Sequence, residues 1–502
     1  MYVRKKKNKS GIISVQVIDK SSGRYKVIKT IGSSGFPAEV ERLYKQGQEF
    51  IKVYQGQQAL NFPEYDFKEV VKSSIKSINT EGVNLLLGEI YSAIGFDQID
   101  SELLKQLVLI RLTHPASKLR TTQYLKRYFS IDISEDKIYR YLDKLYLEQK
   151  EAIQQISYSH TLQVLNGIIS VVFYDVTTIY FQIDDEDEIR KRGFSKEGKH
   201  QNPQIVLGLL VSVDGYPLAY EIHEGNKFEG HTMLPVIDAF KAKYKLEKLV
   251  IVADSGLLST SNINDLQEKG YEFILGARIK NENQAIREEI LSLELVNGQS
   301  AVIEKIAGLK LVISYSDKRA KKDSHNRERG LQKLEKRVKS GKLTKSSINN
   351  RGYNKYLKID GEVKISIDRS KYEADACWDG LKGYLTNTML SKDEVIENYS
   401  HLWKIEKAFR ISKHDLKIRP IYHRLQRRIE AHITINFAAY KVYKELERLL
   451  AAKQANMTYE QAIEIAKTIY SVEITDPATG NTFRETLLLN DEQKYLAQLF
   501  NF

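Results

Sequence analysis

Apolar and polar positions alternate near the start of the chain, where ISVQVID and RYKVIKTI flank Ser21-Ser22-Gly23 as two strands flank a turn. Within residues 1–55 this predicts a small β unit, with a helix following from Ala38. From about 65 to 165 the spacing becomes helical, most clearly in SELLKQLVLIRL (101–112) and KIYRYLDKLYLEQKEAIQQI (137–156). At 168 it changes again. IISVVFYD (168–175) is a continuous apolar run rich in β-branched and aromatic residues, as in a strand buried on both faces. QIVLGLLVSV and YPLAYEIH flank the hairpin signal Asp214-Gly215. A helix over 232–245, the strand KLVIVAD (248–254), a short helix near 262–269 and the strand YEFILGA (271–277) complete a mixed sheet with helices packed on it.

Residues 281–385 interrupt this pattern with a helix, strands such as LKLVISYS and VKISID, and a basic helix over 323–341, and read as an inserted subdomain. Ser391-Lys392-Asp393-Glu394 then forms a capping box, predicted to open one long helix that runs to about 414. The expected division is a basic β-rich unit (1–60), a helical region (61–165) whose short helices carry Arg111, Lys118, Arg120, Lys126 and Arg127 between them, as a DNA-binding helix-turn-helix would, a core (166–280), the insertion (281–385), the last core helix (386–430) and a helical C-terminal region (431–502).

Composition narrows the function classes. With 502 residues, 42% apolar and 28% charged, the chain has core enough for several globular units. Its single cysteine, Cys377, excludes an internal disulfide and Cys-based zinc clusters, and reads as a packed small side chain. The charge-free runs 161–174 and 201–213 fall short of the roughly 18 residues a membrane helix needs. The basic start leads into a stretch too short and polar for a signal sequence, so the expected compartment is the cytoplasm. The net charge is +12, and Lys318 to Lys345 holds twelve basic residues against three acids. Such clustering suits a polyanion, because each phosphate neutralised releases condensed counterions.

Two acids stand out. Asp175 and Asp254 are each expected to close a buried strand of the same sheet, where they either cap the following turn or, if the strands are neighbours, share a divalent cation. In ENYSHLWKIEKAFRISKHDL (397–416), Tyr399, Glu406 and Lys413 are seven apart and so share a helix face, either as a packing seam or as an acid, a cation and a phenol beside the strand ends. Leu402, Ile405 and Phe409 are expected to seat this helix on the sheet.

VVFYDVTTIYF, VLGLLVSVDGYPLAYEIHEGN, LVIVADSG, WDGLKGYLTN and YSHLWKIEKAFRISK together resemble the insertion-sequence transposases, in particular the bacterial group marked by a Tyr-Arg-Glu-Lys signature. The resemblance extends beyond RPIYHRLQRRIEAHI (419–433). It implies an α/β, ribonuclease H-like mixed sheet with flanking helices, interrupted by a mostly β insertion. It also implies that Asp175, Asp254 and Glu406 form the catalytic triad and hold the metal, with Tyr399 and Lys413 as signature residues. Leu402 stands where the signature has Arg, and Arg410, one turn beyond Glu406, is the candidate replacement; Arg419 joins Tyr399, Arg410 and Lys413 as an expected DNA contact. The implied cofactor is a pair of Mg²⁺ ions about 3.5–4 Å apart, with Mn²⁺ as substitute. The implied partners are double-stranded DNA, as terminal inverted repeats and target, and a second copy of the chain in a synaptic complex at the bacterial nucleoid. No membrane is expected, and no ATP, since no phosphate-binding G-x-x-x-x-G-K-[ST] segment occurs. Alternatives on the same fold are a structure-selective nuclease and a catalytically silent DNA-binding regulator. A zincin is excluded because His223 and His231 are eight apart, not four.

Overall fold

The computed structural model describes residues 1–9, 11–54, 67–195, 198–246, 248–257, 259–341, 343–344, 347–349, 352–360, 364–476 and 479–502. Lys342 and Lys345 of the basic cluster, and the expected boundary at 60, lie outside the described residues. The chain divides into two compact units, Met1–Lys76 with Ile474–Phe483, and Ser77–Glu473 with Arg484–Phe502. In the first, β1 (Tyr2–Lys7), β2 (Ile13–Asp19) and β3 (Lys26–Ser34) form an antiparallel meander. The Pro37–Tyr54 helix packs Val40 and Leu43 against Val3, Val15 and Val17.

Strand β4 (Ile75–Thr80) interrupts the stretch expected to be helical. The helices Glu102–Thr113, Glu135–Lys144 and Lys150–Val164 follow, the last two continuous through a π-turn at Leu145–Gln149, so the stretch read as helical over 137–156 is helical throughout. All three pack on the Gln426–Ala452 helix, which is buried along most of its length. A helix so enclosed must satisfy its polar groups internally. Lys441 Nζ donates to Ser157 O at 3.0 Å, the Tyr216 hydroxyl donates to Glu445 at 2.5 Å, and Lys150 pairs with Glu430 at 2.8 Å.

The centre of the second unit is an eight-stranded sheet. Its first strands are β5 (Val171–Tyr180), β6 (Gln204–Ser212), β7 (Pro217–Glu224), β8 (Val250–Ala253) and β9 (Glu272–Ala277). β5, β6 and β7 run as an antiparallel meander turning at Gly215 (φ 82°), whereas β5, β8 and β9 are parallel neighbours. The order β7-β6-β5-β8-β9 makes the core ribonuclease H-like. β6 is buried at all nine residues, so its run of Ile, Val and Leu has no solvent face to alternate with. The segment read as an insertion also extends this sheet: β10 (Ser300–Glu304) and β11 (Lys310–Tyr315) add at its edge, while β12 (Leu357–Asp360) and β13 (Lys364–Ile367) pair separately. β14 (Leu381–Thr386) then fits between β11 and β9.

Four readings are corrected. Asp175 does not close its strand: β5 continues to Tyr180 because the β-branched and aromatic VTTIY keeps pairing with β6. The capping box at Ser391 forms, but its helix stops at Ser400 and a second one runs Trp403–His414, joined by a tight turn in which Leu402 N donates to Tyr399 O. The basic helix begins at Asp317, six residues early. Cys377 is exposed rather than packed, donating its thiol to Ala374 O, and burial of the sulfur raises its pKa. Among the described residues no helix is long and apolar enough to cross a membrane.

Asp375 ties β12 and β13 to the sheet side of the insertion by accepting from Lys280 (2.7 Å), Lys355 (2.7 Å) and the Tyr356 hydroxyl (2.5 Å). These partners overcome burial and hold its carboxyl down at about 2. Its contribution is therefore complete above about pH 4 and lost as pH falls through about 2. Asp375→Asn is expected to loosen this region by about 1–3 kcal/mol at neutral pH. Hydrogen exchange over 352–375, faster in the variant at pH 7, checks it.

Candidate active site

Strand register brings the acids together. β5 pairs with β8 so that Tyr174 lies beside Ala253, and β8 pairs with β9 so that Ala253 lies beside Leu275. One residue further along come Asp175 on β5, Asp254 just past the end of β8, and Gly276, which lies beside Tyr384 on β14. Adjacent strands are about 4.8 Å apart, so Asp175 and Asp254 are immediate neighbours. They also share a face. Val172, Tyr174, Ile251 and Ala253 pack toward the Met233–Tyr244 helix, whereas Phe173 and Val252 pack toward Ile405 and Phe409. With a side-chain period of two, Asp175 follows Phe173 and Asp254 follows Val252 to the face covered by the helix that carries Glu406.

Ile405, Ala408, Phe409 and Ile411 seat that helix, leaving Glu406 exposed at its first turn. Asp254 and Glu406 line one cavity of about 390 Å³ together with Gly276, Lys382, Tyr399 and Arg319. The Tyr399 hydroxyl donates to Asp254 Oδ1 at 3.3 Å, and the same oxygen accepts from Ser255 N at 2.7 Å. Burial, and then the Asp254 carboxylate, push the Tyr399 phenol well above its ordinary pKa, so it remains a donor. Gly276 makes room for it: a Cβ there would lie 2.4 Å from the Tyr399 oxygen. Tyr399 packs edge-on against Tyr384 at 4.9 Å.

Lys382 completes the cluster. Its Nζ lies 4.3 Å from the Tyr399 ring centre and 5.2 Å from that of Tyr384. Burial and then Arg319 lower its pKa, while Asp254 and Glu406 oppose that shift. Arg319, from the basic helix, pairs with Asp323 at 3.4 Å. Lys382 and Arg319 also line an adjoining groove of about 570 Å³ with Arg278, Lys280, Arg327 and Lys355. That groove also holds Asp323, Asp375 and Asp379, which pair with Arg319, with Lys280 and Lys355, and with Arg327, so Lys382 and Arg319 are the cations that line the acids' own cavity.

The expected residues separate accordingly. Asp254, Tyr399 and Glu406 meet around one cavity with Asp175 in the adjoining row, whereas Arg410, Lys413 and Arg419 do not line it. Leu402, where the signature has Arg, is buried in the turn between the two helices and lines the cavity as an apolar wall. Arg410 is exposed on the Glu406 helix, and the Arg419 guanidinium stands 5.8 Å from the Tyr180 ring centre. Among the described residues, no group of three or more His, Cys, Asp or Glu is gathered closely enough to hold a metal ion. The donors do fit a hard divalent cation: they are all carboxylates, two of them on neighbouring strands.

Residues 166–441 match the family model described as a transposase DDE domain, more than half the chain. The chain belongs to this family of DDE transposases. No curated protein matches the transposase. Among solved structures it is similar to a piggyBac transposase synaptic complex with hairpin DNA, at 9% identity over 80% of this chain and 79% of that one, with a TM-score of 0.39. It is also similar to the Mos1 mariner paired end complex with Mn, at 12% identity over 46% of this chain and 67% of that one, with a TM-score of 0.15.

Sequence reasoning did not single out Lys382, Arg319, Gly276 or Tyr384. The available signal was LKGYLT itself, whose period of two puts Lys382 and Tyr384 on one face, once that strand is placed in the core sheet. Gly276→Ala is expected to destabilise the transposase by about 1–3 kcal/mol through the clash with the Tyr399 oxygen. Adding Tyr399→Phe should recover most of that loss, since contacting residues couple. Urea unfolding of both variants tests this; equal destabilisation would place the strain elsewhere.

Proposed function

We propose that this DDE transposase binds the terminal inverted repeats of an insertion sequence, cleaves DNA strands there in a metal-dependent reaction and joins the exposed ends to target DNA. The observation that carries the reading is the row in which Asp175 and Asp254 lie side by side on the face that the Glu406 helix covers. Asp175, Asp254 and Glu406 would hold the divalent ions, Mg²⁺ or Mn²⁺. When bound, such ions activate a water or 3′-hydroxyl nucleophile and stabilise the leaving oxygen of an in-line displacement.

The chain's own groups supply the rest. Lys382 and Arg319 face Asp254 and Glu406 and would neutralise the scissile phosphate, doing the work that Leu402 cannot. Tyr399, packed on Tyr384 and bonded to Asp254, would orient the carboxylate. Arg410, Lys413 and Arg419 would hold backbone phosphates further along the duplex. Two ends must be joined in one reaction, which calls for a homodimer in the synaptic complex, acting at the nucleoid. A silent DNA-binding relative is disfavoured by the intact acid row.

The test is cleavage of a labelled duplex carrying the element's terminal repeat, with Mg²⁺ or Mn²⁺ and then EDTA. Nicking at the repeat boundary, abolished by EDTA and by Asp175→Asn, Asp254→Asn or Glu406→Gln with end binding retained, is the expected result. Near wild-type cutting by any of these variants would remove that residue from the triad, and cleavage without joined products would favour a nuclease. Lys382→Met should lower the cleavage rate about 10²–10³-fold while changing end binding little. Because its pKa is depressed, Lys382 loses its charge at lower pH than an ordinary lysine. The rate should therefore fall on the alkaline side, and Lys382→Arg should abolish that fall.

A further inference from the structure

A second cavity, of about 290 Å³, lies among the Glu102–Thr113 helix, the N-terminal end of the Lys118–Phe129 helix, the turn at 417–423 and the Gln426–Ala452 helix. Arg111 and Lys118 line it, although they are only 4% and 5% exposed. Among the described residues neither forms an ion pair, and Arg111 makes one long hydrogen bond, to Leu416 O at 3.5 Å. Their surroundings do not compensate. His423 and His432, both buried, line the same space, and burial followed by the Lys118 and Arg111 charges holds His423 neutral, down to about 3. His432 Nε2 is taken by Ile418 O at 3.0 Å, leaving Nδ1 buried without a partner. The carboxylate on the lining, Glu135, already accepts the Tyr139 hydroxyl at 2.8 Å. Asp143 is engaged by Arg427 and Arg428. Lys417 and Arg419 also line the cavity, adding cations and no acid.

Two basic groups enclosed without a counter-charge lose their hydration, and burial followed by the Arg111 charge pushes the Lys118 ammonium well below its ordinary pKa, so an anion reaching the cavity would favour their charged forms. The start of the Lys118–Phe129 helix, capped by Ser117, adds the positive end of a helix dipole to the same space. We propose that this cavity is a phosphate-binding site in which Arg111 and Lys118 receive a backbone phosphate of bound DNA. The inference rests on the reading of DNA as substrate. Tyr180, which the Arg419 guanidinium approaches, is five residues from Asp175 along β5, roughly 17 Å at the rise of a strand. The site fixes the register of the duplex on the acid row.

The full chain with Lys118→Met and Lys118→Arg tests the assignment, using inorganic phosphate and a short terminal-repeat duplex as probes. Lys118→Met is expected to melt at least about 2 °C above wild type without ligand, because a buried unpaired charge is removed. It should bind the duplex about tenfold more weakly, with the logarithmic salt slope reduced by about one. Lys118→Arg should keep wild-type affinity. Phosphate should raise the melting temperature of wild type and not of Lys118→Met. If Lys118→Met melts below wild type, the lysine is structural and the proposal fails. If phosphate stabilises only wild type while both bind the duplex equally, the site takes a free anion and its assignment to DNA is overturned. Failure of the terminal-repeat reading would show differently, as loss of sequence preference in every variant, while the wild-type to Lys118→Met difference persisted on any duplex.

Discussion

The site depends on one constraint, the register between the parallel strands β5, β8 and β9. A slip of one residue in either pairing would turn Asp254 or Asp175 to the face packed on the Met233–Tyr244 helix, among Phe240, Ile251 and Phe273. That is why the flanking positions are so strictly apolar. Val172, Phe173, Ile251 and Val252 are fully buried, and each fixes which face the acid two or three residues later must take. The proposed acid set is thus held by hydrophobic packing on strands, and only Glu406 comes from a helix.

Position along the chain does not predict position in this row. Asp175 and Asp254 are separated by a hairpin and a crossover helix, Gly276 follows another helix, and Lys382 and Tyr384 arrive only after β10 to β13. Because β14 enters between β9 and β11, the segment between the second and third acids does more than decorate the core. It returns a lysine and a tyrosine to the acid row, and its basic helix presents Arg319 to the same cavity. Leu402 leaves no cation on the helix at this position, and the cations that line the same cavity, Lys382 and Arg319, come from the neighbouring strand and the basic helix.

The strands of the core, the hairpin at Asp214-Gly215 and the capping box at Ser391 were legible because each is written locally, in periodicity or in turn chemistry. The extension of β5 past Asp175 was harder, since an acid in an apolar run reads as a strand end, whereas here it sits mid-strand because ladder pairing with β6 continues through it. The helix break after Ser400 was invisible to a seven-residue spacing argument. Heptad spacing reports a common face only while the helix is continuous, and the turn at His401-Leu402 lets Tyr399 point down to Asp254 while Glu406 stays exposed. The cations at Lys382 and Arg319 were legible only in part, because the proximity of Lys382 to the acids depends on sheet order and that of Arg319 on where the basic helix packs.

Charge placement links the two cavities. The basic residues counted in the sequence are mostly solvated, and there each contributes a weak, screened attraction to any polyanion. Arg111 and Lys118 are different, since they are buried and lose that screening, and Lys382 is half-buried. A buried cation discriminates: it rewards an anion that reaches it in the right place and repays nothing to one held at the surface. On the proposed reading, the surface charge would gather DNA and the buried charge would decide where along the duplex the acid row is set.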